Sequence, residues 1–233
     1  MNSKLGVLID FGIIVSQKVI DSFPLGIVNS HFSLLPEWRG ADPITFSILS
    51  GQKETGVSLM LLTAGLDEGP LLANSTPVTI ASDETTASLT DTLIAESDAN
   101  LRVVLPLYVS GTAKPIDQFA IAEQVPGYPS KATYSRKLTK DDGILDFTKP
   151  ADQLEREVRA FAEWPKSRAT IGGKEVVITK AHVMDGAGKP GESWKDGKQF
   201  GFYTTSGIFV IDALKPAGKG EMTAAAFLNG YSL

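Results

Sequence analysis

The chain opens on a short apolar run, Leu5 to Ile9, closed by Asp10 and Gly12. A run of that length without alternation marks a strand covered on both faces, so it predicts a central strand of a parallel sheet. Ser16 stands at a capping position before Val19, Ile20 and Phe23, and their spacing predicts a helix over Gln17 to Phe23 that Pro24 ends. Leu25 to Val28 reads as the next strand. Pro43 to Ser50 carries proline in its first turn and is stopped by Gly51, which predicts a second helix. Alternation returns at Val57, Leu59 and Leu61, giving a strand over Thr55 to Thr63, and an extended stretch follows over Leu71 to Ile80. Leu89, Leu93, Leu101, Val104 and Leu105 then recur at helical spacing and predict a long helix over Ala87 to Leu107.

The pattern breaks after this helix. Gly111 to Lys131 contains Pro115, Pro126, Gly127 and Pro129 with no clear period, and reads as a linker. Beyond it come a helix over Asp152 to Phe161 and glycine-punctuated strands over Arg168 to Ile171, Glu175 to Val183, Gly201 to Tyr203 and Ile208 to Leu214. A small β-barrel is the simplest closed arrangement for such strands. The organisation predicted is an α/β domain over 1–110 with a mostly parallel sheet, a linker over 111–131, and a β-barrel domain over 132–233.

Composition narrows the classes. With 233 residues, 42% of them hydrophobic, the chain has enough apolar surface for ordinary cores, and a formal charge of −5 gives no general attraction to polyanions. Contact with nucleic acid therefore needs a local basic patch. The absence of cysteine removes disulfides, thiolate nucleophiles and Cys-built zinc sites and makes an intracellular compartment the default. Only His31 and His182 offer imidazole, so no metal is expected. No stretch approaches the about 20 apolar residues of a membrane span, and Met1 to Val7 lacks a signal-peptide pattern, so the expectation is a cytoplasmic protein without a membrane partner.

Candidate chemistry gathers where the second predicted strand ends. Asn29 and His31 are two residues apart and share one side of an extended segment, so carboxamide and imidazole would flank one carbonyl. Imidazole can accept and return a proton near neutral pH, and an amide N–H can meet an oxygen that becomes anionic. Asp67, inside Gly65-Leu66-Asp67-Glu68-Gly69, could hold His31 or order a water if the glycines let that loop approach the sheet. Singly, each residue has a plain reading: a loop hydrogen-bonder, a turn former, an ordinary glycine turn.

Asn29 to Pro36 (Asn-Ser-His-Phe-Ser-Leu-Leu-Pro), Trp38-Arg39-Gly40-Ala41 and Gly65-Leu66-Asp67-Glu68-Gly69-Pro70 together resemble the formyltransferases that use 10-formyltetrahydrofolate. Ile144-Leu145-Asp146-Phe147, Arg159-Ala160-Phe161 and Trp164-Pro165 resemble the C-terminal domain of the methionyl-tRNA formyltransferases. The resemblance implies a Rossmann-like catalytic domain followed by an OB-like barrel. It makes Asn29, His31 and Asp67 oxyanion donor, proton shuttle and orienting carboxylate. It assigns Phe11, Gly12, Ile13, Ile14 and Val15, with Thr63, Ala64, Gly65, Leu66 and Asp67, to main-chain binding of the formyl donor. Ser33, Leu34, Leu35, Pro36 and Gly40 would shape the substrate loop, and Arg39 would contact the acceptor end of tRNA. Arg136, Lys137, Lys166 and Arg168 are phosphate-contact candidates, with Lys140, Lys174 and Lys180 beside them. Trp164 reads as a packed aromatic at a helix end.

The resemblance implies transfer of a formyl group to the amino group of initiator methionyl-tRNA, with tetrahydrofolate as the other product. Two alternatives stay open: formylation of an amino sugar nucleotide or other small amine, and a non-catalytic folate- or RNA-binding remnant. Family members carry further strand-helix units before the strand that is here Leu5 to Ile9. The expectation is accordingly an N-terminally incomplete catalytic domain, with self-association over its open sheet edge.

Overall fold

The computed structural model describes residues 3–9, 15–125 and 127–233. They divide into two compact units, one of 1–47, 52–82 and 88–137, the other of 48–51, 83–87 and 138–233. Phe11, Gly12, Ile13 and Ile14, assigned above to the formyl donor, lie outside the described residues.

In chain order the elements as far as residue 135 are β1 (Gly6–Ile9), α1 (Gln17–Ile20), β2 (Ile27–His31), β3 (Arg39–Gly40), α2 (Pro43–Ser50), β4 (Glu54–Thr55), β5 (Ser58–Leu61), β6 (Leu71–Asn74), β7 (Val78–Thr79), α3 (Thr86–Val109), α4 (Gln118–Ala122) and β8 (Tyr134–Ser135). A four-stranded sheet runs β1-β2-β5-β6. Its β1–β2 pair is parallel, while β2–β5 and β5–β6 are antiparallel. The sheet is therefore mixed, which corrects the mostly parallel expectation. An apolar run does not encode strand direction, and the loop 62–70 joins β5 directly to its neighbour β6, which only an antiparallel pair permits.

Two predicted strands prove to be broken. Thr55 to Thr63 divides at Gly56 and Val57 into β4 and β5, and Leu71 to Ile80 divides at Ser75 into β6 and β7, with β4 and β7 pairing separately. At the break the Ser75 hydroxyl accepts from the Val57 N–H at 2.9 Å, so the backbone leaves the ladder without losing its partner. Helix α1 is shorter than predicted and Ser16 makes no side-chain cap bond. Strand β2 is displaced toward its C-terminus, because pairing of His31 with Ser58 carries the ladder through the residues expected just beyond it.

The stretch 111–131, read as a linker, contains α4 and packs into the first unit. Ile116 and Leu71 form a bridge with both backbone bonds at 2.8 Å. The Asp117 carboxylate accepts from the Phe119 N–H and caps the helix.

The second unit contains a 3-10 turn (Lys140–Gly143), α5 (Ala151–Ala160), β9 (Ser167–Ile171), β10 (Lys174–Met184), β11 (Ser193–Asp196), β12 (Gln199–Tyr203), β13 (Ile208–Pro216), β14 (Met222–Thr223) and α6 (Ala224–Leu228). Its sheet is antiparallel in the order β11-β12-β13-β10-β9, with β14 on β13. Among the described residues β11 and β9 do not pair, so no closed barrel is found and the sheet is open between them. Alternation predicts which face of each strand is buried but not whether the last strand returns to the first. Helices cover the apolar face instead: Leu154 and Val158 of α5 and Phe227 of α6 share one buried cluster with Phe200, Phe209, Ile211 and Leu214. Among the described residues no helix is long and apolar enough to cross a membrane.

Candidate active site

Strand β2 lies between β1 and β5 and ends at His31. Its period of two sends Ser30 to the opposite face from Asn29 and His31, and the Ser30 hydroxyl is 2.7 Å from that of Ser97 on α3. Asn29 remains partly exposed while His31 is 6% exposed. The imidazole Nε2 is 2.9 Å from the Trp38 carbonyl oxygen, which can only accept. Nε2 therefore carries hydrogen, and Nδ1 is the nitrogen whose protonation can change. Facing it, the Asp67 Oδ2 is 3.8 Å from Nδ1.

Two chain segments hold these neighbours in place. Trp38 and Asp67 have φ of 53° and 50°, left-handed conformations that cost a non-glycine residue about 1–2 kcal/mol each. Trp38 is fixed by its N–H to Thr133 Oγ1 at 2.9 Å, its indole N–H to Gln52 Oε1 at 2.7 Å and its ring against Phe46. The Asp67 carboxylate accepts from the Gly40 N–H at 2.8 Å. Gly40 has φ 114° and a Cβ there would meet the Ser135 carbonyl oxygen at 2.4 Å, so the residue that binds Asp67 must be glycine. A Cβ on Gly69 would lie 1.7 Å from the Leu61 carbonyl oxygen, and the absence of that carbon lets the Asp67 loop close down on β5.

The other sequence candidates fall into distinct places. Ser33, Leu34, Leu35 and Pro36 are all buried and shape the loop after β2. The Ser58 hydroxyl donates to the Ser33 carbonyl and accepts from the Leu35 N–H, and the Tyr128 hydroxyl donates to the Leu35 carbonyl at 2.6 Å. Burial pushes the Tyr128 phenol up to about 12 and also raises the Glu37 carboxyl. Thr63, Ala64, Gly65 and Leu66 are exposed. Val15 is half-buried.

Arg39, a candidate tRNA contact in the sequence, is buried. It is 5% exposed, and its Nε and Nη2 donate to Gln118 Oε1 at 3.2 and 2.8 Å. Glu68 lies 3.5 Å from Nη1, and the guanidinium stands over the Phe119 ring. Arg136, Lys137 and Lys166 are exposed, Lys166 with φ 71°, whereas Arg168 is partly buried and Nη2 donates to the Lys140 carbonyl. Trp164, expected to be packed, is 56% exposed. Thr133 and Gln118, which support the site, were not among the sequence candidates. Thr133 lies in polar, aperiodic chain, and Gln118 stands beside the apolar Phe119 to Ala122 in a stretch read as a linker.

Residues 1–104 match the family described as Formyl transferase, and residues 137–232 match Formyl transferase, C-terminal domain. A protein named Methionyl-tRNA formyltransferase from Myxococcus xanthus (strain DK1622) is 42% identical over 231 residues, covering 97% of this chain and 70% of its own. One of the same name from Halorhodospira halophila (strain DSM 244 / SL1) is 41% identical over 236 residues, covering 98% of this chain and 72% of its own. The crystal structure of HypX from Aquifex aeolicus in complex with tetrahydrofolic acid shares the fold, with a TM-score of 0.65 at 19% identity, over 98% of this chain and 39% of that one. The chain belongs to the formyl transferase family.

Proposed function

We propose that the chain transfers a formyl group from 10-formyltetrahydrofolate to the amino group of methionyl-tRNA, a step of translation initiation in the cytoplasm. The observation that carries this reading is the 42% identity over 231 residues to a relative of that name, spanning both matched domains. When bound, 10-formyltetrahydrofolate supplies a formyl carbon on a nitrogen that can leave. Asn29 donates its amide hydrogen to the formyl oxygen as charge develops there. His31 takes up at Nδ1 the proton that the amine loses as its nitrogen bonds the formyl carbon, and gives it to the folate nitrogen as the old carbon–nitrogen bond breaks. Asp67 favours the protonated imidazole during this exchange.

The second unit supports tRNA binding in this reading, with the exposed Lys166 offering an ammonium group for phosphate. Self-association is supported by β1, where Val7 and Ile9 are 41% and 49% exposed. The test is a choice of acceptors: purified chain with 10-formyltetrahydrofolate is offered methionyl-tRNA or an amino sugar nucleotide. Formylation of methionyl-tRNA supports the reading. Formylation of the sugar alone replaces it with the small-amine alternative, and folate binding without turnover on either leaves a remnant.

A further inference from the structure

We infer that Gln118 is a positioning residue for the reaction, a latch that sets the Asp67 carboxylate against His31. The inference rests on the formyl-transfer reading and deepens it.

Gln118 is 1% exposed, and one carboxamide uses its whole hydrogen-bonding capacity at the site. Its Oε1 accepts from Nε and Nη2 of Arg39. Its Nε2 donates to the carbonyl oxygens of Asp67 and Gly69, both at 2.8 Å. The same amide plane thereby ties β3, which contains Gly40, to the loop that contains Asp67. These are the two backbone segments joined by the Gly40 N–H to Asp67 bond.

The attachment of Gln118 is itself fixed, since Ile116 is bridged to Leu71 at the end of that same loop. Asp67 is held at φ 50°, a conformation from which an unsupported peptide relaxes, and its carbonyl is one of the two that Gln118 grips. Without the latch the loop can turn its carboxylate away from Nδ1 while the fold around β2 and β5 persists.

Two variants separate the two halves of the latch. Gln118→Met keeps the volume and loses every bond, while Gln118→Glu keeps an acceptor for Arg39 and sets carboxylate oxygen against two carbonyls. For both, kcat should fall by about 10- to 100-fold, the scale of a small misplacement of a reacting group. KM for methionyl-tRNA should change by less than about threefold. In an Asp67→Ala background Gln118→Met should cost less than about twofold, since the group it positions is gone. A direct readout is amide hydrogen exchange of Gly40, which should accelerate in Gln118→Met relative to the amides of β5. Unchanged Gly40 exchange, unchanged kcat, or an undiminished loss in the Asp67→Ala background overturns the latch. A wild-type chain that transfers no formyl group overturns the functional reading instead, and Gly40 exchange then decides the latch alone.

Discussion

His31 Nδ1 lies 3.8 Å from Asp67 Oδ2, while the opposite ring nitrogen is committed to the Trp38 carbonyl. One nitrogen is thus fixed as a donor and the other is left to change protonation beside a carboxylate. Asp67→Asn keeps an oxygen for the Gly40 N–H and removes the charge that favours the imidazolium. Single-turnover formyl transfer should slow by about 100-fold, the lower end of the range for general acid–base catalysis. A rate within twofold of wild type would remove Asp67 from the proton transfer.

Tyr128 should give the fold a dependence on alkaline pH. Its phenol is raised to about 12 chiefly by burial, above the ordinary value near 10, so the folded chain holds this proton more tightly than the unfolded chain. The contribution is complete below about pH 10 and is lost as pH rises through about 12. Tyr128 is partly exposed, so the loss is about 1–2 kcal/mol rather than the full shift. Urea unfolding at pH 9 should show wild type more stable than Tyr128→Phe, which also loses the bond to the Leu35 carbonyl. The gap should close toward pH 12; a gap that is constant or widens contradicts the assignment.

Phe209 is fully buried in the cluster shared by the second sheet, α5 and α6. Phe209→Ala should destabilise the second unit by about 3–5 kcal/mol through lost burial and a cavity. Val183, 42% exposed on β10, should tolerate alanine within about 0.5 kcal/mol. Chemical denaturation followed by tryptophan fluorescence of the two variants checks the contrast.

Lys166 is exposed at the turn before β9. If its ammonium meets a phosphate, Lys166→Ala should weaken methionyl-tRNA binding and reduce the slope of log K against log salt by about 0.7–0.9, the value for one contact. Filter binding over a salt series reads that slope. An unchanged slope places Lys166 outside the tRNA contact.

Local signals were the legible part of the sequence. Pro43 and Gly51 bracket α2 so tightly that both ends could be read, and the two-residue spacing of Asn29 and His31 gave their common side. What local pattern cannot encode is partnership. The antiparallel join of β2 to β5, the open edge between β9 and β11, and β11 itself depend on which strands meet. The same limit hid the environment of Arg39, which Gln118 reaches across a sequence separation of 79. Gln118 stood in a stretch whose prolines and glycines suggested a linker. Ile121 of α4 packs against the buried cluster of Leu35, Met60 and Leu71, but a helix of five residues is too short to show a period.

The central claim is that the His31 site moves the formyl group. Single-turnover transfer from 10-formyltetrahydrofolate to methionyl-tRNA by wild type and His31→Ala tests it, with circular dichroism to verify the fold. The account predicts transfer by wild type and a loss of about 100-fold or more in the variant. Transfer by folded His31→Ala at the wild-type rate would contradict it.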